Sequence, residues 1–158
     1  MFEKLLRTNS SVALSLSRLI LGIVFFAHGA QKVLGWFGGF GFSGTMGFFT
    51  AKMGIPAPLA FLAIMAEFLG GLGLIVGFLS RIAAFGIFCN MVVAVLMVHR
   101  HIGFFANWYG NQPGEGYEYH LLAIALTIMI MASGAGALSL DRLLSKSEAP
   151  VLGATARS

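Results

Sequence analysis

The chain has 158 residues, of which 58% are hydrophobic and only 10% are charged. This composition is far from that of a soluble domain and predicts an all-α integral membrane protein. The net charge of +4 resides in scattered basic residues that mostly flank apolar runs, which argues against nucleic-acid binding. The length predicts one domain over residues 1–146 and a polar, disordered tail over 147–158.

Four apolar runs predict four transmembrane helices. They cover residues 11–34, 57–79, 82–98 and 120–140, and the third has an alternative end at Phe105. A helix of about 20 apolar residues is long enough to cross the hydrocarbon core of a bilayer. The sequence therefore predicts a four-transmembrane-helix bundle.

The first run admits a second interpretation, a cleaved signal peptide with a small-x-small site at Ala27-His28-Gly29. Two observations argue against cleavage. Three further apolar runs follow, and the helical pattern continues through the polar residues Gln31 and Lys32.

The loop between the first two runs, residues 35–56, contains a short helix of its own. Ser43 is a suitable N-cap, and Gly54-Ile55-Pro56 would end the helix. A helix of about ten residues is too short to span a bilayer, so we expect it to lie along the membrane interface. The aromatic residues that would anchor it are Trp36, Phe48 and Phe49.

The orientation follows from the loops. Both long loops, 35–56 and 99–119, lie on one side of a four-span bundle, and the termini and the tight turn at Ser80-Arg81 lie on the other. Basic residues are more frequent on the side of the termini. Because cytoplasmic flanks carry the excess of Lys and Arg, both termini are predicted to be cytoplasmic in a bacterial-type inner membrane, with lipid around the bundle.

Glu67 lies in the middle of the second apolar run. An unpaired carboxylate at that depth is costly, so it normally faces the protein interior, finds a partner or holds a proton. The candidate partners are Arg18, His28 and Lys32, which share one broad face of the first helix. The depth of Glu67 favours a contact with Arg18 or His28. Two interpretations stay open: an ion pair that fixes helix register, and a proton-handling group.

A second group of ionisable residues occurs at the outer ends of the third and fourth runs. It consists of His99, His101, Glu115, Glu118 and His120. Imidazoles beside a carboxylate bind Zn, Fe or Cu, or protonate a bound quinone or small oxyanion. The histidine spacing does not match a helical metal site, so we predict no metal, with His99, His101, His120 and Glu118 as weak candidates.

Other motifs are few. Asn90, in the middle of the third run, is typical of residues that hydrogen-bond between membrane helices. The sequence contains no Walker loop, no GxGxxG and no histidine pair at matching depths, so it predicts neither nucleotide nor haem binding. Cys89 is the only cysteine, so thiol–disulfide exchange would need a cysteine from another protein.

Several motifs, in this order, resemble those of the DoxX family of membrane proteins. The first helix carries Arg18-Leu-Ile-Leu-Gly22 and Phe25-Phe-Ala-His28-Gly29-Ala-Gln-Lys32. The second block has Pro56, then Glu67-Phe-Leu-Gly-Gly71-Leu-Gly73-Leu, then Gly77-Phe-Leu-Ser-Arg81. Each motif is loose alone, but their order and spacing over roughly residues 11–144 are specific.

The resemblance implies a four-helix membrane bundle that acts as an oxidoreductase. The family name derives from a subunit associated with quinone-linked thiosulfate oxidation, and other relatives are linked to membrane redox complexes or to quinone and thiol stress. More distant members act as receptor-assembly chaperones or cargo receptors. This chain lacks the cysteine pair of the thiol-associated relatives, which argues against a disulfide relay within it.

The resulting hypothesis is a quinone-linked oxidoreductase subunit with a polar pocket at the outer side of the bundle. The candidate catalytic residues are Arg18, His28, Lys32 and Glu67. The candidate quinone-binding residues are Phe25, Trp36, Asn90 and Trp108. Electrons would come from a soluble or membrane redox partner, and the glycine-rich surface is compatible with a homodimer.

Two alternatives belong to other functional classes. The first is a non-catalytic assembly or scaffolding protein, in which Glu67 merely pins helices together. The second is a small proton-coupled transporter, which would need an inverted repeat that the two hairpins show only weakly. A polar face that lines an accessible cavity favours the redox subunit, and a packed seam favours the scaffold.

Overall fold

A computed structural model describes residues 5–147 of the chain. These residues form helices and no β-strand, which confirms the all-α fold class. Three of the helices are long and apolar enough to cross a membrane, and a shorter helix near the C-terminal end is also apolar. Apart from Ser147, the predicted tail lies outside the described residues, and the domain boundary at residue 146 stays a prediction.

The helices are numbered in chain order. They are α1 (Val12–Leu34), α2 (Gly41–Gly47), α3 (Ala57–Val76), α4 (Ser80–Met97), α5 (Glu118–Ser133) and α6 (Leu140–Ser147). Three short turns of other helix types complete the description: 3-10 turns at Trp36–Gly38 and His99–His101, and a π-helical segment at Phe48–Lys52 that continues α2.

The ends of α1 follow from local sequence. The Ser11 hydroxyl accepts a hydrogen bond from the Leu14 amide at 3.2 Å and caps the first turn. Gly35 ends the helix with φ of 72°, a left-handed conformation that favours glycine. The observed helix therefore matches the predicted run over residues 11–34 to within one residue.

A short helix lies between α1 and α3, as predicted, but it begins at Gly41 and has no side-chain cap from Ser43. It packs against α1 with Thr45 buried. Its continuation as a π-helical segment gives the chain a wide turn before Gly54 and Pro56 end it. Its position at a membrane interface stays a prediction.

The fourth apolar run is shorter than predicted, because α5 ends at Ser133 and not near residue 140. Gly134 and Gly136 both adopt positive φ, at 85° and 86°, which an α-helix cannot accommodate. The residues after Gly136 instead fold over the N-terminal end of α1, where the Leu138 amide donates a hydrogen bond to the Ser15 hydroxyl at 3.0 Å. A hydropathy pattern of small residues does not reveal this break.

α1 and α3 are antiparallel and pack closely through glycines. A Cβ atom placed on Gly22 would lie 2.8 Å from the Ile75 nitrogen, and one on Gly29 would overlap the backbone of Phe68. Gly71, in turn, lies against the Phe26 backbone. The two helix backbones are therefore in contact, as is typical of small-residue seams within membranes.

The three long helices and the shorter α5 form a ring. α1 packs along α3, α3 along α4 and α4 along α5, and α5 returns to α1. The apolar core inside this ring contains Leu21, Phe25, Leu74, Ile87 and Ile130. In this order α3 and α5 occupy diagonal positions, so side chains that they direct inward face each other across the bundle.

The end of the bundle nearest the termini is held by charged side chains that cap helix ends. The buried Arg18 guanidinium donates to the Ala135 and Leu138 carbonyls at 2.8 and 2.7 Å, and also to the Leu74 and Ile75 carbonyls. Carbonyls at the last turn of a helix have no partner within it, so Arg18 stabilises the end of α3 and the chain after α5 together.

The buried Asp141 carboxylate plays the corresponding role for α4. It accepts hydrogen bonds from the Leu79 and Ser80 amides at 2.7 and 3.0 Å, at the N-terminus of that helix. A carboxylate satisfies the unpaired amides there and interacts favourably with the helix dipole. Arg18 and Asp141 therefore both act in capping helix ends at this end of the bundle.

Candidate functional site

Glu67 is the centre of a polar network that joins three helices. Its carboxylate forms an ion pair with Lys32 of α1, and Glu67 itself is only 7% exposed. The Asn90 amide of α4 donates to the Ala63 carbonyl at 2.7 Å and lies 3.5 Å from the second carboxylate oxygen of Glu67. A carboxylate buried this deeply is stable only with such partners.

Lys32 was one of the three candidate partners that the sequence offered for Glu67, but helix depth had favoured Arg18 or His28. Because Gly29 lies against Phe68, Glu67 comes level with the position after Gly29, within one turn of Lys32. Arg18 is more than two turns away, at the other end of α1, where it binds carbonyls. The glycine contacts between the helices therefore place Lys32, and not Arg18, within reach of the carboxylate.

A cavity of about 550 Å³ opens beside this network. It lies at the end of the bundle where the two long connections meet, between the second half of α1, the first half of α3, the second half of α4 and the start of α5. Its lining residues are Phe25, His28, Lys32, Phe48, Phe49, Met53, Ile55, Ala63, Glu67, Asn90, Met91, Val93, Ala94, Met97, Val98, His99, Ala106, Glu115, Gly116, Tyr119 and His120.

Four of the eight predicted site residues outside the histidine group meet at this cavity in one polar set: His28, Lys32, Glu67 and Asn90. In the described part of the chain the His28 side chain makes no hydrogen bond, and its imidazole is exposed. Lys32 also borders a smaller cavity of about 270 Å³ beyond Phe48 and Phe49. A ligand in the cavity can therefore contact these polar side chains.

Only one of the three predicted aromatic site residues lines the cavity. Phe25 lines the cavity, with its ring 6.4 Å from that of Tyr119. Trp36 and Trp108 lie outside the cavity lining and are 51% and 79% exposed. The Trp108 indole donates to Glu118 at 3.1 Å, so it is held in the second long loop and not over the pocket.

Sequence reasoning missed several residues of the lining. Tyr119 was not among the predicted site residues, although it directly precedes His120, a candidate in the same helix. Phe48, Phe49 and Met53 were assigned to the interface, but they form one wall of the cavity. Only the path of the loop brings them there, and no local pattern encodes that path.

The histidine group separates into two parts. The rings of His99 and His120 are in contact, with centroids 4.0 Å apart and an angle of 41° between their planes, and His99 Nδ1 lies 2.7 Å from the Glu115 carbonyl. His101 is exposed and contacts Arg100, away from the cavity. Glu118 accepts a hydrogen bond from the Ala106 amide at 2.9 Å. Within residues 5–147, no three His, Cys, Asp or Glu side chains are grouped so as to hold a metal ion.

The cavity combines apolar walls with a few convergent polar groups, which is the usual composition of a small-molecule site. Lys32 and His28 offer hydrogen-bond donors, and Glu67 offers a carboxylate that can exchange a proton. Phe25 and Tyr119 provide aromatic faces and edges nearby. This arrangement can bind a ring that carries oxygen atoms and can move a proton to or from it.

These features define a helical membrane protein with a ligand-sized polar cavity at one end of its bundle. The chain belongs to the DoxX family, whose family model matches residues 13–100. This finding confirms the resemblance that the motifs of α1 and α3 carry.

Two curated relatives cover most of the chain. The chain is 29% identical to "Inner membrane protein YqjF" of Escherichia coli (strain K12) over 140 residues, which is 85% of this chain and 94% of that protein. It is 28% identical to "Putative oxidoreductase CatD" of Bacillus subtilis (strain 168) over 131 residues, which is 83% and 86% of the two chains. No solved structure shows significant similarity to the chain.

Proposed function

We propose that this protein is a membrane oxidoreductase subunit that binds a quinone, or a similar small redox-active ring, in the cavity beside Glu67. One observation carries the proposal: a buried carboxylate, paired with Lys32 and adjacent to Asn90, borders a cavity of about 550 Å³. A polar network that served only to pin helices together would have no need of such a space. The name of the relative CatD supports the redox class.

The residues present fit a quinone. Its ring and any apolar tail suit walls made of Phe25, Phe49, Met91 and Met97. Its oxygen atoms suit donors such as Lys32 and His28. The cavity volume lies within the range of about 300–1,000 Å³ that is usual for small-molecule sites.

A quinone supplies two-electron chemistry, in which reduction to the quinol consumes two electrons and two protons. The electrons come from a redox partner protein, soluble or in the membrane. His28 would donate a hydrogen bond to a ring oxygen of the bound quinone, and Lys32 would stabilise the negative charge that develops there. Glu67, with Asn90 beside its carboxylate, would pass one of the two protons to that oxygen, and water that enters the cavity would supply the other.

The membrane arrangement is part of the proposal. α1, α3, α4 and the shorter α5 cross a bacterial inner membrane, in line with the location in the name of the relative YqjF. Both termini are cytoplasmic, and the cavity lies toward the outer side, next to the two long loops. Lipid surrounds the bundle. A homodimer stays part of the proposal, although Gly22, Gly29 and Gly71 lie in the α1–α3 contact and not on the outer surface.

The test is the binding of 2-decyl-1,4-benzoquinone to detergent-purified protein. Native mass spectrometry and quenching of tryptophan fluorescence measure the binding. We expect saturable binding to the wild type, and at least about fivefold weaker binding to Glu67→Gln and His28→Ala, as for the loss of one or more hydrogen bonds. His101→Ala is the matched control for His28→Ala, because His101 is exposed and outside the cavity.

Absence of binding to a folded, monodisperse wild type would overturn the quinone site. The assembly or scaffolding interpretation would then become the stronger one, since it needs the Glu67 network only for helix packing. Equal weakening by the His101 control would point to a general effect on the protein and not to this cavity.

A further inference from the structure

Tyr119 is the one tyrosine of the chain that lines the cavity beside Glu67. It lies in the first turn of α5, and the residue is 38% exposed. Within residues 5–147 its hydroxyl makes no hydrogen bond. A phenolic hydroxyl both donates and accepts hydrogen bonds, and it usually has a partner where the ring is surrounded by apolar groups. A molecule in the cavity can therefore supply that partner.

Two neighbouring rings fix the direction of the Tyr119 side chain. The Phe25 ring of α1 lies beside it, with centroids 6.4 Å apart and an angle of 27° between the planes. The His120 ring meets it edge to face, with centroids 5.6 Å apart. Aromatic pairs in these arrangements attract each other beyond the burial of their area. The hydroxyl oxygen is thus held in one position, while its hydrogen can rotate toward a ligand.

The cavity therefore has accessible polar groups on two opposite sides. The first side carries Lys32, Glu67 and Asn90, which belong to α1, α3 and α4. The second side carries the Tyr119 hydroxyl of α5. Since α3 and α5 are diagonal in the ring of helices, Glu67 and Tyr119 face each other across the cavity. The hydroxyl lies within range of the Glu67 charge but makes no hydrogen bond with it, so a ligand can bridge the two sides.

We propose that the Tyr119 hydroxyl hydrogen-bonds the second oxygen of a ring whose first oxygen binds at Lys32 and Glu67. The ligand class is then a quinonoid or aromatic ring with oxygen atoms on opposite edges, and not a ring with a single oxygen. This inference rests on the proposed function, because it assigns a specificity-determining contact within the same cavity. Tyr119 donates to the carbonyl of a quinone or accepts from the hydroxyl of a quinol, and it keeps its own proton in both cases.

The test compares three ligands that differ only in their oxygen atoms. They are 2-decyl-1,4-hydroquinone, which has both oxygens, and 2-decylphenol and 3-decylphenol, which each keep one. Binding to the purified full-length protein is measured anaerobically by native mass spectrometry. We expect the wild type to bind the hydroquinone about fivefold more tightly than either phenol, as for one additional hydrogen bond.

In Tyr119→Phe, the hydroquinone should bind no more tightly than the phenol that places its oxygen at Lys32 and Glu67. The affinity for that phenol should be unchanged, because the substitution removes one oxygen atom and keeps the ring beside Phe25. Tyr117→Phe is the matched control and should behave as wild type, since the Tyr117 ring packs on Phe104 and lies outside the cavity lining.

Three results would overturn the inference alone, in a wild type that binds 2-decyl-1,4-benzoquinone. The wild type may bind the hydroquinone and the better phenol equally, which would exclude a second polar contact. Tyr119→Phe may keep the preference for the hydroquinone, so that another group binds the second oxygen. It may also weaken all three ligands equally, as for a general change of the cavity.

A folded wild type that binds neither the benzoquinone nor any of the three ligands would overturn this inference and the proposed function together. If Tyr119→Phe does not fold, Tyr119→Met replaces it with the same expected result, because methionine fills much of the same space without a hydroxyl. A preference for the hydroquinone that persists in Tyr119→Met would contradict the inference equally.

Discussion

Gly29 of α1 lies directly against the backbone of Phe68 of α3, and this contact brings Lys32 to Glu67. A Cβ atom at Gly29 would overlap the Phe68 Cα and nitrogen atoms. The next residue toward the N-terminus of α3 is Glu67, and Lys32 is one turn beyond Gly29 on α1. The backbone contact therefore sets the register of the polar network and, with it, one wall of the cavity.

Gly29→Ala should consequently destabilise the protein and weaken ligand binding together. Atoms of the α3 backbone cannot move aside as a flexible side chain can, so the two helices must separate. We expect a loss of about 1–3 kcal/mol in the free energy of unfolding, as for other overpacked sites. Thermal unfolding in detergent and binding of 2-decyl-1,4-benzoquinone measure the two effects.

Gly47→Ala is the control for this substitution. Gly47 is also helical, but a Cβ atom there would meet nothing within 4 Å. Alanine is the better helix former, so we expect an unchanged or slightly raised unfolding temperature. A Gly29→Ala protein as stable as Gly47→Ala would show that the α1–α3 contact does not limit stability.

The sequence predicted the bounds of a helix well where its apolar length and the residues at its ends agree. α1 matches its predicted run because continuous apolar length, an N-cap serine and a terminal glycine all agree on its ends. α5 was predicted too long, since Gly134 and Gly136 are hydropathically neutral and break the helix only through their conformation. Apolar length alone does not distinguish these cases.

The cavity was predicted only in part, for a different reason. The burial of Glu67 predicts that its carboxylate needs a cationic partner. Whether Lys32 or Arg18 is that partner depends on the interhelical contacts at Gly22 and Gly29. Likewise, Phe48 reaches the cavity only because the loop after α1 folds back over the bundle. Both are long-range features, which local periodicity does not encode.

Arg18 offers a test of structural against catalytic roles. Its guanidinium satisfies carbonyls of α3 and of the segment after α5, and it lies outside the cavity lining. Arg18→Met leaves several buried carbonyls unpaired, so we expect a loss of about 3 kcal/mol or more in the free energy of unfolding. In contrast, the folded fraction should bind 2-decyl-1,4-benzoquinone with wild-type affinity.

The measurement pairs an unfolding curve with a binding titration on the folded fraction at low temperature. Arg18→Lys should recover little of the stability, because an ammonium group cannot reproduce the fork of a guanidinium. A stable Arg18→Met protein that has lost quinone binding would contradict this assignment and return Arg18 to the candidate catalytic residues.

The proposed topology can be checked by cysteine labelling, because Cys89 is the only native cysteine. In a Cys89→Ala background, Asn111→Cys introduces a thiol in the second long loop and Arg142→Cys introduces one in α6. With four spans and cytoplasmic termini, a membrane-impermeant maleimide should label position 111 in intact cells. Position 142 should react only after the membrane is permeabilised. Labelling of both positions from the same side would show that α5, the helix between them, does not cross the membrane.

The Lys32–Glu67 ion pair should show strong energetic coupling. Removing one partner leaves a charge in a buried site, so Lys32→Met and Glu67→Gln should each cost about 3 kcal/mol in the free energy of unfolding. The double variant leaves no unpaired charge and should cost clearly less than the sum of the single variants. Lys52→Met is the matched control, because Lys52 is exposed and borders neither cavity. Reversible unfolding of all four variants in one detergent gives the coupling energy, and additive effects would mean that the two charges are solvated independently in the native protein.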